Sequence, residues 1–240
     1  MERLALARAS VKPEPKRSYD TRGRQASAQE TRRRILAAAR RLFLKRGYAS
    51  TSMAAIADAA GVSVETIYLS IGGKASLVRY LVETALSGTD EPVPAAQRKG
   101  VAKVHAEPDP RRYLRMFAAM VRPMLERLAP IWQVVLEAAP TDAELSSLVA
   151  EVQGRHVGNM RLVIEHLAEA GRLRPELSKD VARDVLWAMN SPEFYRLVVI
   201  GRGWTAEMFE NWLADTWQRL LLDDDVATTK PMVPPITPVR

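Results

Sequence analysis

The stretch STSMAAIADAAGVSVETIYLSIGGK, residues 50–74, predicts two short helices joined by a tight glycine turn. The first covers roughly residues 51–60, where Ala54, Ala55, Ala57, Ala59 and Ala60 crowd one side and let another helix pack at close range. Gly61 ends it, because glycine takes the left-handed conformation of a helix terminus at little steric cost. Val62 then turns into the core, Ser63 is placed to cap the next helix, and that helix starts at Val64. Ile56, Ala57, Gly61, Val62 and Ile67 have the small and apolar spacing of a helix-turn-helix, whose second helix lies in the major groove with its N-terminal residues on base edges. An ordinary helical hairpin would account for the alanines and the glycine, but not for the polar set Ser63, Glu65, Thr66 and Tyr68.

Upstream, Ser27-Ala28-Gln29-Glu30 has a capping-box pattern, and the helix it opens runs to Gly47. Ile35, Leu36, Ala39, Leu42 and Phe43 form its apolar stripe, so its main role is to brace the helix-turn-helix. Arg32, Arg33 and Arg34 reach either solvent or phosphate, and Tyr48 is either core or a contact, with core favoured for Tyr48 and solvent for the arginines. Residues 1–26 hold Pro13, Pro15, Gly23 and many basic side chains, and read as a flexible basic arm. Such arms can enter a minor groove, and Arg22 and Arg24 lie close enough to the first helix to do so.

The segment ETRRRILAAARRLFLKRGYASTSMAAIADAAGVSVETIYLSIGGKASLV, residues 30–78, resembles the N-terminal DNA-binding domain of the TetR family of bacterial transcriptional regulators. The resemblance extends over about residues 18–87 and rests on Leu42-Phe43, Gly47-Tyr48, Thr51, Ile56-Ala57, Ala60 through Ser63, Thr66 through Tyr68, and Lys74. It departs at Ser70, Ile71, Gly72 and Gly73, where many members carry an aromatic pair followed by serine or asparagine, so no phosphate contact is carried over to Ser70. The DNA-contacting set is Thr51, Ser63, Val64, Glu65, Thr66, Tyr68, Leu69 and Lys74, with Arg22 and Arg24 from the arm. Thr66 and Tyr68 stand at the family's usual contact positions. Thr51 is placed to cap its helix and meet a phosphate, as is Lys74 at the start of the next helix, neither reading sequence. Glu65 is of ambiguous sign, because a carboxylate is repelled by the backbone unless it accepts from a cytosine amino group.

Charge supports a nucleic-acid partner on this half alone. Residues 1–87 carry 16 Lys and Arg against 7 Asp and Glu, whereas residues 88–240 carry 19 against 21. A basic surface is attracted to phosphate and binds it in a salt-dependent way. At 240 residues and 47% hydrophobic, the chain suffices for one small and one larger domain. The expected organisation is an arm over 1–26, a helix-turn-helix domain with its connecting helix over 27–87, a helical regulatory and dimerisation domain over 88–222, and a disordered tail over 223–240. Prolines 92, 94 and 108 mark residues 88–109 as a linker with at most one helical turn and no ordered element. No apolar run spans a bilayer and the N-terminus lacks a signal peptide's apolar stretch, so a cytoplasmic location is expected. There is no cysteine, and three histidines far apart give no metal motif. No catalytic residues, metal or cofactor are expected, a pocket carboxylate beside His156 being the sole catalytic candidate.

The C-terminal half is helical by pattern: 111–128, 131–139 after Pro130, a helix opened by a capping box at Thr141-Asp142-Ala143-Glu144 and running to about Ala170, one capped by Ser178, one restarting at Ser191-Pro192, and a last helix from Thr205. The fold is therefore all-α. In the family such a bundle binds a small inducer and makes the dimer. Tyr113, Phe117, Met120, Met124, Trp132, His156, Met160, Trp187 and Asn190 are the candidate pocket, although aromatic and methionine stripes are usually core. They favour an apolar or aromatic effector over a multiply charged one. Leu186, Phe209, Trp212, Leu213, Trp217 and Leu220 are the candidate dimer interface, two half-sites being needed for specificity. The resemblance implies a ligand-released repressor acting as a homodimer on an inverted-repeat operator. The alternative is a regulatory interaction protein with a degenerate helix-turn-helix that binds DNA only non-specifically.

Overall fold

The computed structural model describes residues 21–223, with side chains from Gln25 onward. Ten helices follow in order: α1 (Thr21–Arg46), α2 (Met53–Ala60), α3 (Val64–Ser70), α4 (Lys74–Ser87), α5 (Val101–His105), α6 (Pro110–Ala138), α7 (Ala143–Glu169), α8 (Lys179–Met189), α9 (Pro192–Tyr195) and α10 (Ala206–Leu221). A π-helical turn, Arg196–Ile200, extends α9. The only extended pairing among the described residues is an antiparallel bridge between Leu173 and Leu222.

The helix boundaries follow from local chemistry. Ser63, Ser178, Ser191 and Thr205 each sit in extended backbone and accept a hydrogen bond from an amide three residues on, as N-caps do. Gly61, at φ 64°, ends α2 and lets Val62 N–H reach Ala57 O at 3.0 Å. The Arg34 guanidinium completes this end by donating to Ala60 O at 2.7 Å and Gly61 O at 3.1 Å. Arg34 is thus a brace for the turn, while Arg32 pairs with Glu91, and Arg33 with Glu30 and Asp90.

Five expectations about local structure are corrected. Helix α1 begins at Thr21 rather than Ser27, whose carbonyl accepts the Thr31 hydroxyl from inside the helix. Nothing between Gly23 and Ser27 interrupts a run of good helix formers, so the capping box is overridden. Ala54 and Ala59 are exposed, and only Ala57 and Ala60 of the five alanines are buried. The 88–109 segment carries a 3-10 turn, Ala95–Gln97, and α5, whose Val104 enters the core. Helix α6 runs unbroken through Pro123 and Pro130, because buried residues on both sides of each proline hold it in place. The N-cap of α7 is Asp142 and not Thr141. Residues 224–240, most of the predicted tail, lie outside the described residues.

Two apolar cores stack along α6. The first gathers the inner faces of α1 to α4, including Ile35, Phe43, Ile56, Ile67 and Leu77, together with Leu128, Ile131 and Val135 of α6 and Leu145 and Leu148 of α7. The second joins the N-terminal half of α6, the C-terminal half of α7, and α8 to α10 around Leu114, Leu125, Leu167, Leu186 and Trp217. Among the described residues no helix is long and apolar enough to cross a membrane.

Candidate nucleic-acid interface and ligand cavity

Only one residue of α3 is fully buried, with Val64 packed beside it against the first core. Ile67 is fully buried, and Ser63, Glu65, Tyr68 and Leu69 face outward, with Tyr68 56% and Leu69 82% exposed. Val64 and Thr66 are half-buried. Ser63 Oγ accepts from Thr66 N–H at 3.1 Å and lies 2.8 Å from the Thr66 hydroxyl, which fixes the first turn. A large apolar side chain as open to solvent as Leu69 has no role in this chain's own core.

Thr51 and Lys74 point elsewhere than expected. Thr51 is buried, and its hydroxyl donates to Gly47 O at 2.8 Å, satisfying a carbonyl at the end of α1. Ser52, which is exposed, caps α2 by accepting from Ala55 N–H at 3.1 Å. The Lys74 ammonium donates to Tyr48 O at 2.9 Å and Thr51 O at 3.1 Å, and sits 4.1 Å from the centre of the Tyr48 ring. Tyr48 itself packs on Phe43, with ring centres 5.8 Å apart, and donates its hydroxyl to Asp142 at 2.8 Å. Burial first, then the bond to Asp142, holds its phenol well above the ordinary value. The backbone of Arg22 and Arg24 belongs to α1, so it is not part of an arm; their side chains and residues 1–20 lie outside the described ones.

Between the two cores lies a cavity of about 1480 Å³. Phe117, Met120, Met124 and Trp132 of α6, His156 and Met160 of α7, and Trp187 and Asn190 of the α8 end all line it. Tyr113 does not: it is fully buried, its ring stacked on His166 at 4.4 Å, and burial pushes its phenol up to about 12. Burial also pushes the His156 imidazole down to about 4, which keeps it neutral. Its Nε2 has no hydrogen-bond partner among the described residues, and neither does Trp187 Nε1, the two rings being 6.2 Å apart. Asn190 Nδ2 lies 3.5 Å from Met160 Sδ, and Trp132 Nε1 donates to Glu193 at 2.9 Å. No hydrogen bond among the described residues joins His156 to a carboxylate, and no three His, Asp or Glu side chains there converge to hold a metal.

Sequence reasoning missed the 88–105 wall of the cavity, where Arg98, Ala102 and His105 line it along with Arg127 of α6. Its prolines signal a linker, and nothing local signals that this linker folds back over α6. Four of the candidate dimer residues, Leu186, Phe209, Leu213 and Trp217, are buried in the protomer's own core. Trp217 lies 5.4 Å from Phe117, because α10 packs along α6 with its aromatic face inward. Trp212 is half-buried between Phe194 and Trp204, and Leu220 alone of the set is 44% exposed.

Residues 35–81 match the model of the bacterial regulatory proteins of the tetR family. Over 57 residues the chain is 49% identical to the HTH-type transcriptional regulator TtgR of Pseudomonas putida, a match covering 24% of this chain and 27% of TtgR. The chain thus spans about a quarter of the length of the curated relatives it matches. Its fold is similar to that of NalD, the secondary repressor of the MexAB-OprM multidrug efflux pump in Pseudomonas aeruginosa, at a TM-score of 0.64 and 24% identity over 83% of this chain and 99% of that one. It is also similar to SmeT, in a complex with triclosan, at a TM-score of 0.58 and 20% identity over 87% of this chain and 99% of the other.

Proposed function

As residues 35–81 match the model of the tetR family of bacterial regulatory proteins, we propose that this chain belongs to that family and is a homodimeric transcriptional repressor which a small molecule releases from an inverted-repeat operator. The observation that carries this reading is α3, a capped helix held by Ile67 that presents Glu65, Tyr68 and Leu69 to solvent. A helix placed so can enter a major groove, with Ser63, Val64 and Thr66 at its leading end. Residues 27–87 read DNA, residues 88–222 form the regulatory and dimerisation part, and the protein works in the cytoplasm without a cofactor or catalysis.

The effector occupies the cavity between the cores. Its wall is largely apolar, with Phe117, Met120, Met124, Trp132, Met160 and Trp187 among aliphatic and small side chains, which suits an apolar or aromatic molecule; the similar fold of SmeT is found in a complex with triclosan. The cavity also borders the C-terminal end of α4, where Glu83, Leu86, Ser87 and Gly88 line it. A ligand that displaces this end moves α4, and with it the first core and the spacing of the two reading helices in a dimer. Reciprocity then requires operator DNA to weaken effector binding by the same factor, typically worth about 1–3 kcal/mol.

Selection of bound DNA from a random pool, at moderate and high salt and alongside Tyr68→Ala, tests the reading. The expected result is an enriched inverted repeat that the variant no longer selects. Binding without enrichment would overturn it in favour of an interaction protein that only holds DNA electrostatically.

A further inference from the structure

The charges around the cavity do not balance. Its lining contains two carboxylates, and both are engaged: Glu83 pairs with Arg155, and Glu193 accepts from Trp132. Arg98 and Arg127 also line it, and neither has a carboxylate within ion-pair distance among the described residues. Each uses only its Nε, Arg98 donating to Val93 O at 3.1 Å and Arg127 to Ala85 O at 3.1 Å. Burial is the largest influence on both and works against the cation; the Glu83 carboxylate favours Arg98 while the charges of Arg155 and Arg127 oppose it, and Glu126 favours Arg127. Two partly desolvated guanidiniums whose terminal N–H groups are unengaged make a fork for a planar oxyanion. The cavity offers such a group a long apolar body as well, since it exceeds the roughly 300–1,000 Å³ of ordinary ligand sites.

We propose that this cavity binds an amphipathic monocarboxylate, its head held by the terminal N–H groups of Arg98 and Arg127 and its apolar body lying along Phe117, Met120, Met124 and Trp132. The proposal rests on the reading of the cavity as the effector site and names the class of effector. It also supplies a route to regulation. Arg127 holds the C-terminal turn of α4 through Ala85 O, its backbone carbonyl accepts from Arg40 at 3.4 Å, and its guanidinium lies so close over Gly88 that a Cβ there would stand 2.7 Å from it. A carboxylate that draws the Arg127 guanidinium into the cavity therefore withdraws a tie from the end of α4.

The test uses the full chain, ligand-free, loaded with a neutral polarity-sensitive dye that its cavity captures. Two matched pairs compete with the dye at neutral pH: dodecanoate against dodecan-1-ol, and naphthoate against naphthol. The acid of at least one pair should displace the dye at a concentration roughly tenfold or more below that of its alcohol, a factor equivalent to about 1.4 kcal/mol. That ratio should collapse toward unity in Arg98→Gln and in Arg127→Gln; if Arg127→Gln fails to fold, Arg98→Gln carries the test. Alcohols that compete as well as their acids, no displacement by either acid, or a ratio unchanged in the folded variants would each overturn the proposal. Operator selection reads the parent proposal separately: acid preference without an enriched operator would sink the repressor and leave the acid site standing, and an enriched operator without acid preference would do the reverse.

Discussion

The Tyr48 hydroxyl and the Asp142 carboxylate meet at 2.8 Å, so the turn that follows α1 is tied to the N-cap of α7. Asp142 accepts from Glu144 and Leu145 N–H at 3.0 and 3.1 Å as well. The Tyr48 bond, then these backbone amides, hold its carboxyl below the usual range. Tyr48→Phe removes one bond to a charged acceptor and should lower stability by about 1–2 kcal/mol, while Asp142→Ala should cost about 1 kcal/mol more because α7 loses its cap as well. Urea midpoints of the two variants check this, and a Tyr48→Phe protein as stable as the parent would show the tie to be idle.

Lys74 has the address of a phosphate contact and the geometry of an internal clamp. Lys74→Met leaves the Tyr48 and Thr51 carbonyls without their donor, which should cost about 1–3 kcal/mol. If the ammonium works inward, the dependence of DNA affinity on salt should keep its slope. A slope shallower by about one unit would show a released counterion and hence a phosphate contact.

His156 makes stability depend on pH. Its imidazole falls from 6.5 to about 4 on burial, so the unfolded chain binds the proton first as pH drops. The neutral histidine's contribution is intact above 6.5 and is lost progressively as pH falls toward about 4. The full shift is worth on the order of 3 kcal/mol. Denaturation midpoints taken through this window should decline in the parent and flatten in His156→Phe; parallel declines would assign the effect to carboxylates elsewhere.

Association should depend on outward residues and not on the buried aromatics of α10. Val181 on α8 is 52% exposed, Leu220 on the adjacent α10 is 44% exposed, and neither belongs to the protomer's core. Val181→Asp with Leu220→Asp should shift light scattering from dimer toward monomer while circular dichroism stays helical. A dimer that survives both changes would put the contact on another face.

Gly61, Ser63 and Ile67 were readable from sequence because their roles are local: a left-handed turn, a cap and one apolar anchor need only a few neighbouring residues. Thr51 and Lys74 were not, since both answer to carbonyls at the end of α1, and a residue's type does not say whether such a partner lies behind it. Trp217 and Phe209 show the same limit on a larger scale. Their spacing declares an apolar face, but whether that face meets α6 or a second protomer is decided by how far α6 extends, and α6 continues through two prolines that by local rules should have ended it. The cavity residues on α6, α7 and α8 follow from periodicity, whereas Arg98 depends on the path of a loop.

The first core also bears on how far the α1–α4 unit can be treated as a portable part. Leu77, Val78, Leu81 and Val82 of α4 share it with Leu128, Ile131, Val135, Leu145 and Leu148. A cut after residue 87 would strip those α4 side chains of their cover, and a graft of residues 21–87 onto another bundle would carry only half of a mated surface. A working chimera must inherit the 128–148 half of the joint along with the helix-turn-helix, so the two parts can diverge in sequence only as a matched pair.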